Sequence, residues 1–110
     1  FANNIRVQID TGVKKDFYVV PLSVQMLVEN AIKHNVISSD EPLFIQIYVK
    51  DDFLVVKNNL QIKSSLKKLV SIGLENIKTQ YEILANRKVE VLKERGEFTV
   101  KLPLIINPVV

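Results

Sequence analysis

The sequence predicts an α/β fold: a two-layer sandwich of about five strands in one sheet, with two long helices on one face. Three observations predict it. Short segments at 5–10, 43–50, 53–58, 88–93 and 98–104 are rich in β-branched residues, and several alternate apolar with polar positions. Two longer segments, 21–35 and 74–86, repeat apolar residues at helical spacing. The order along the chain is strand, helix, strand, strand, connection, helix, strand, strand.

In the first strand Ile5, Val7 and Ile9 alternate with Arg6, Gln8 and Asp10, the pattern of a half-buried strand. Residues 11–16 make a polar connection, and 17–20 add a short extended piece. In residues 21–35, PLSVQMLVENAIKHN, a core stripe falls on Val24, Leu27, Val28, Ala31 and Ile32. Pro21 suits the first helical position, where a missing N–H costs nothing. Residues 38–42, SSDEP, read as a loop. Strands 43–50 and 53–58 are separated by Asp51-Asp52, the spacing of a hairpin without the glycine that favours a primed turn. Residues 59–73 are the least patterned part, with one turn of helical spacing around Leu66 to Val70. The second helix carries Leu74, Ile77, Tyr81, Leu84 and Ala85 as its core stripe. Strands 88–93 and 98–104 flank the turn Glu94-Arg95-Gly96-Glu97, with Phe98, Val100, Leu102 and Leu104 facing inward. The proline-broken residues 105–110 read as an edge extension or an ordered tail.

A length of 110 residues suits a single domain spanning 1–110. Hydrophobic residues make up 47%, enough to fill a core and too many for a disordered tail. No run of eighteen or more apolar residues exists, so no spanning helix is expected. No signal peptide is visible. With no cysteine there is neither a disulfide framework nor a thiolate metal site. The net charge of +3 is spread along the chain rather than clustered, so nucleic acid is not an expected partner. The abrupt beginning and end suggest a domain excised from a longer chain.

The other stripe of the first helix carries Met26, Glu29, Asn30, Lys33 and His34. A carboxylate, an amide, an ammonium and an imidazole thus stand within two turns. On spacing alone, a solvated face with a Glu29–Lys33 pair of ~0.2–0.5 kcal/mol accounts for these residues as well as a binding surface does. His34 is the sole histidine, which argues against a zinc site.

The run Val28-Glu29-Asn30-Ala31-Ile32-Lys33-His34-Asn35 resembles the N box of sensor histidine kinases. It is close to the LVENAIKH form of the LytS-like branch, with a similar proline-bearing lead-in at Val20-Pro21-Leu22. The likeness covers about residues 5–104. It implies the catalytic ATP-binding domain with the Bergerat ATPase fold, a mixed, mostly antiparallel sheet with helices on one face. It further implies ATP and Mg2+ as cofactors. Asn30 would hold the Mg2+ that bridges the phosphates, Glu29 would act as a base or polarise the attacking group, and Lys33 and His34 would lie in the nucleotide site. Residues 59–73 would form the ATP lid.

The sequence departs from the family in its glycine boxes. Where Asp-x-Gly-x-Gly is usual, it reads Asn58-Asn59-Leu60-Gln61-Ile62, with Asn58 in the aspartate slot. Where Gly-x-Gly-Leu is usual, it reads Ser71-Ile72-Gly73-Leu74, leaving Gly73 and Leu74 just ahead of the second helix. The family's aspartate accepts from the adenine amino group. Asn58 carries both an acceptor and a donor, so weaker ATP binding and reduced discrimination against GTP are expected, with gains on Asn58→Asp.

The function these likenesses imply is that of a protein-histidine kinase in a two-component system. The domain would supply the γ-phosphate to a histidine on an upstream dimerisation and phosphoacceptor domain. The 110-residue fragment alone is expected to be inactive, because His34 belongs to the nucleotide site and no other histidine exists. Implied partners are that upstream domain, a response regulator and a second copy in the full-length protein. The implied location is the cytoplasmic side of a bacterial inner-membrane protein, with membrane contact only through segments outside this chain. The alternative is a degenerate kinase-derived module with little or no ATP turnover, acting as a signalling or dimerisation scaffold. A chaperone or mismatch-repair ATPase of the same fold fits the N-box wording less well.

Overall fold

The structure, a computed structural model, describes residues 5–10, 17–35, 42–60 and 72–105. The elements run β1 (Ile5–Asp10), α1 (Ser23–His34), β2 (Leu43–Lys50), β3 (Phe53–Asn59), α2 (Ile72–Ala85), β4 (Glu90–Glu94) and β5 (Glu97–Pro103). The strands form one sheet in the order β1-β2-β3-β5-β4. β1 runs parallel to β2, as a helical crossover requires, and the other neighbours are antiparallel hairpin or long-range pairs. The α/β sandwich with a mixed five-stranded sheet and two helices is therefore the one the sequence predicts. The segment 61–71, which holds most of the expected lid, and the tail 106–110 lie outside the described residues.

Register explains the core. Ile45 faces Asn58, Ile47 faces Val56 and Val49 faces Leu54. Val56 and Leu54 in turn face Val100 and Leu102. The helices add Leu27 and Ala31 from α1, and Leu74, Ile77 and Tyr81 from α2, all buried. Val24, Val28 and Ile32 are half-buried against that cluster. Both turns use left-handed backbone. Asp51 takes φ 56° where a glycine would sit more easily, and Arg95 with Gly96 (φ 54° and 72°) makes the primed turn of the second hairpin. Among the described residues, no helix is long and apolar enough to cross a membrane.

Three expectations are corrected. Helix α1 begins at Ser23, not at Pro21. The Ser23 N–H donates to the Val20 carbonyl at 3.1 Å, closing a turn in which Leu22 has φ 65° and ψ 1°. These are the angles of a type II turn with proline at its second position, which the fixed φ of proline suits as well as it suits a helix start. Leu84 is 66% exposed, because the last turn of α2 leaves both Ile83 and Leu84 outside the core. β1 is also more exposed than a half-buried strand. Val7 and Ile9 are uncovered at 49% and 66%, since α1 lies over β2 and β3.

The two helices are locked by one polar cluster. The buried Tyr81 hydroxyl accepts a hydrogen bond from the Val20 N–H at 3.3 Å, and the Ser23 hydroxyl donates to the Val20 carbonyl at 2.7 Å. Burial pushes the Tyr81 phenol above its usual pKa of 10.0; the hydrogen bond from the Val20 N–H, the neighbouring Ser23 hydroxyl and the charge of Arg87 oppose that shift without cancelling it. Tyr81→Phe keeps the ring but strands the Val20 N–H, so we expect a loss of about 1–3 kcal/mol. Because the folded-state pKa is raised, the contribution of neutral Tyr81 is complete below about pH 10 and is lost as pH rises through the folded value. Denaturant unfolding at about pH 8 and about pH 11 checks both points. The wild type should lose more stability between the two than Tyr81→Phe does, and equal losses would assign the alkaline sensitivity elsewhere.

Candidate functional site

The polar stripe of α1 divides by surroundings. Glu29 is exposed, and its carboxylate accepts a hydrogen bond from Gln25 Nε2 at 3.1 Å, one turn back. Lys33 is exposed as well, and the Glu29–Lys33 ion pair suggested by spacing does not form. Both charges therefore remain at the surface. His34 is the last residue of the helix. Asn35 leaves helical geometry and its Nδ2 donates to the Ala31 carbonyl at 2.8 Å, satisfying one of the terminal carbonyls.

Asn30 is half-buried and turns toward α2. A Cβ built on Gly73 would stand 3.5 Å from Asn30 Nδ2, 3.7 Å from its Oδ1 and 3.4 Å from Met26 Cε. These are ordinary van der Waals separations, so Gly73 marks where the start of α2 lies against Met26 and Asn30 of α1 rather than a position only glycine could fill. Gly73 lies inside the first turn of α2 rather than ahead of it, because the helix starts at Ile72. Its backbone is helical, not left-handed. The first backbone N–H groups of α2 have no carbonyl partner within the helix and favour an anion. Glu75 in that turn partly offsets the positive end and is itself paired with Lys78 at 3.5 Å. Leu74 is 3% exposed and belongs to the core. Its side chain is therefore not a ligand, and the position offers only its main chain.

Asn58 ends the buried side of β3, opposite Ile45 and Phe98, and is 4% exposed. Its Nδ2 donates to the Asn59 carbonyl at 2.8 Å. That bond orients the amide, because only the NH2 can face a carbonyl. Its Oδ1 receives no hydrogen bond among the described residues. A buried acceptor without a donor is costly and marks a place where a ligand donor fits. Asn59 was not singled out by sequence. Its Oδ1 accepts from the Phe44 N–H at 2.7 Å and its Nδ2 donates to the Pro42 carbonyl at 3.0 Å, tying the end of β3 to the start of β2. The only signal for it was a pair of asparagines at a strand end.

Asn30 and Gly73 are thus brought together between the two helices, Asn58 is buried at the end of β3, and Glu29 and Lys33 stay on the exposed side of α1. A scan against protein-family models finds no match, and a search of curated proteins finds none. Among solved structures, the chain is similar to the nucleotide-free catalytic domain of the histidine kinase ThkA, with a TM-score of 0.61 and 18% identity over 93% of this chain and 81% of that one. It is also similar to the histidine kinase domain of the blue-light activated histidine kinase of Erythrobacter litoralis, with a TM-score of 0.56 and 18% identity over 91% of this chain and 52% of that one. At this identity the likeness establishes the fold: the chain has the fold of histidine kinase catalytic domains.

Proposed function

We propose that this chain is the ATP-binding catalytic domain of a sensor histidine kinase of the LytS-like branch. It would supply the γ-phosphate to a histidine on an upstream dimerisation domain, from which a response regulator is phosphorylated. The observation that carries the reading is the buried Oδ1 of Asn58, which accepts no hydrogen bond from a described residue, in a fold shared with kinase catalytic domains. An adenine amino group is a donor of the right kind for it. Asn30 offers a hard amide oxygen beside the start of α2, which suits Mg2+ held jointly by protein, phosphates and water. Among the described residues no three His, Cys, Asp or Glu side chains converge on a metal position, so such an ion would take most of its shell from the nucleotide. Bound Mg2+ neutralises charge on the phosphates, and positioning does most of the remaining work in phosphoryl transfer. Glu29, on the exposed side of α1, is the group assigned to polarise the attacking atom. Lys33 and His34 are assigned to the phosphate end, and the main chain at Gly73 and Leu74 to close phosphate approach. We further place the domain on the cytoplasmic side of the membrane, in a full-length homodimer.

A calorimetric titration with ATP, with and without Mg2+, tests this. Saturable heat that requires Mg2+ is the expected result. No binding up to about 1 mM ATP, an affinity of about −4 kcal/mol, would replace it with the scaffold reading.

A further inference from the structure

β1 is an outer strand of the sheet, and among the described residues nothing pairs with its free edge. Val7 and Ile9 lie in register with Ile45 and Ile47, which are buried, yet they are themselves 49% and 66% exposed. An apolar strand edge of this kind is a template for pairing with another strand.

We propose that β1 pairs antiparallel with β1 of a second copy, extending the sheet across a two-fold axis normal to it. Such an axis keeps both helix layers on the same face. Residues of one face must then oppose residues of the same face, and one residue faces its own counterpart on the axis. With Gln8 on the axis, Arg6 of each copy opposes Asp10 of the other. Val7 of each copy opposes Ile9 of the other, joining the two uncovered apolar stripes. Gln8 meets Gln8, and each amide both donates and accepts. Opposite charges and β-branched pairs directly across an antiparallel ladder are both stabilising. With Val7 on the axis, Arg6 faces Gln8 and the ion pairs are lost, so the charge pattern selects one register.

The other edge strand gives the opposite result. Centred on Leu92, β4 would set Glu90 of each copy against Glu94 of the other, and like charges directly across a ladder are destabilising. Self-complementary charge thus marks β1, whereas the corresponding mid-strand register of β4 sets like charges against each other. The interface uses only residues of this chain and does not depend on nucleotide binding.

Sedimentation equilibrium of the 110-residue chain from about 10 μM to about 1 mM at low salt tests the proposal. The wild type should show a concentration-dependent monomer–dimer equilibrium. Arg6→Asp and Asp10→Arg should each weaken it at least tenfold, or about 1.4 kcal/mol, because each sets like charges opposite one another. An equimolar mixture of the two variants should associate again. One copy then carries two acids where the other carries two bases, so recovery also shows that both variants fold. A wild type that stays monomeric throughout would overturn the proposal. So would single variants that associate like the wild type, or a mixture no more associated than its components.

Discussion

Asn30→Ala is expected to abolish Mg2+-dependent ATP binding while changing the unfolding free energy by no more than ~1 kcal/mol. The two halves of this expectation have separate causes. No hydrogen bond from the Asn30 side chain to another described residue holds the fold together, and its amide lies beside the bare Cα of Gly73. Removing it therefore leaves no buried partner stranded, and alanine is the better helix former by a few tenths of a kcal/mol. Binding is different, because the amide oxygen is the protein's proposed ligand to Mg2+. Asn30→Asp gives an internal comparison. It keeps an oxygen ligand but adds a negative charge near the triphosphate, so binding should fall between the wild type and Asn30→Ala. Calorimetry and thermal unfolding on the same samples read the two effects. A large loss of stability with unchanged nucleotide binding would make Asn30 a structural residue and remove it from the site.

Asn58→Asp should destabilise the protein by roughly 3 kcal/mol near neutral pH, the order of cost for a buried charge left without a partner. From sequence, this substitution looked like a gain, since it restores the family's usual residue. That expected gain concerns nucleotide affinity and selectivity; the geometry adds a separate cost in stability for the free protein. Asn58 Nδ2 donates to the Asn59 carbonyl at 2.8 Å, and a carboxylate there would set acceptor against acceptor at a site only 4% exposed. Burial raises the pKa of such a carboxyl, so its folded-state value would lie above the unfolded one. The penalty should therefore be smallest below about pH 4, where the protonated acid can donate to Asn59 again, and should grow as pH rises. Denaturant unfolding of both proteins across that range tests this, and a pH-independent difference would mean that the carboxyl has found another partner. The same hydrogen bond reverses the sequence-based expectation of reduced discrimination against GTP in the wild type. With its NH2 engaged, Asn58 presents only Oδ1 to a base, so it should accept from adenine and should not turn over to donate to guanine. Competition between ATP and GTP should then favour ATP, whereas equal affinity would show that Asn58 does not read the base.

Much of the fold was legible because side-chain periodicity is a local record of secondary structure. Alternation placed β2 and β5, and the 3.6-residue stripe placed Leu27, Ala31, Leu74, Ile77 and Tyr81 in the core. Short polar spacers announced both hairpins, Asp51-Asp52 in the first and Glu94 to Glu97 in the second, which holds the left-handed pair Arg95 and Gly96. The polar stripe of α1 was equally visible, since Glu29, Asn30, Lys33 and His34 follow one another at helical spacing.

Periodicity reports which residues share a face but not what covers that face, and the differences follow from this. Ile5, Val7 and Ile9 share a face as their spacing says, yet α1 lies over β2 and β3 and leaves Val7 and Ile9 in the open. Leu84 follows the stripe of α2, but the last turn lies outside the core. Pro21 announced a break in the chain without saying whether a turn or a helix followed, because its fixed φ serves both. The sequence by itself therefore determined the elements, their order and the residues offered to a site. Only the tertiary structure decided that Asn30 meets Gly73, that Leu74 is core, and that the Asn58 amide presents its oxygen. Each of these depends on contacts between segments distant in the chain, or on how an amide is turned by its partner, and neither leaves a trace in local spacing.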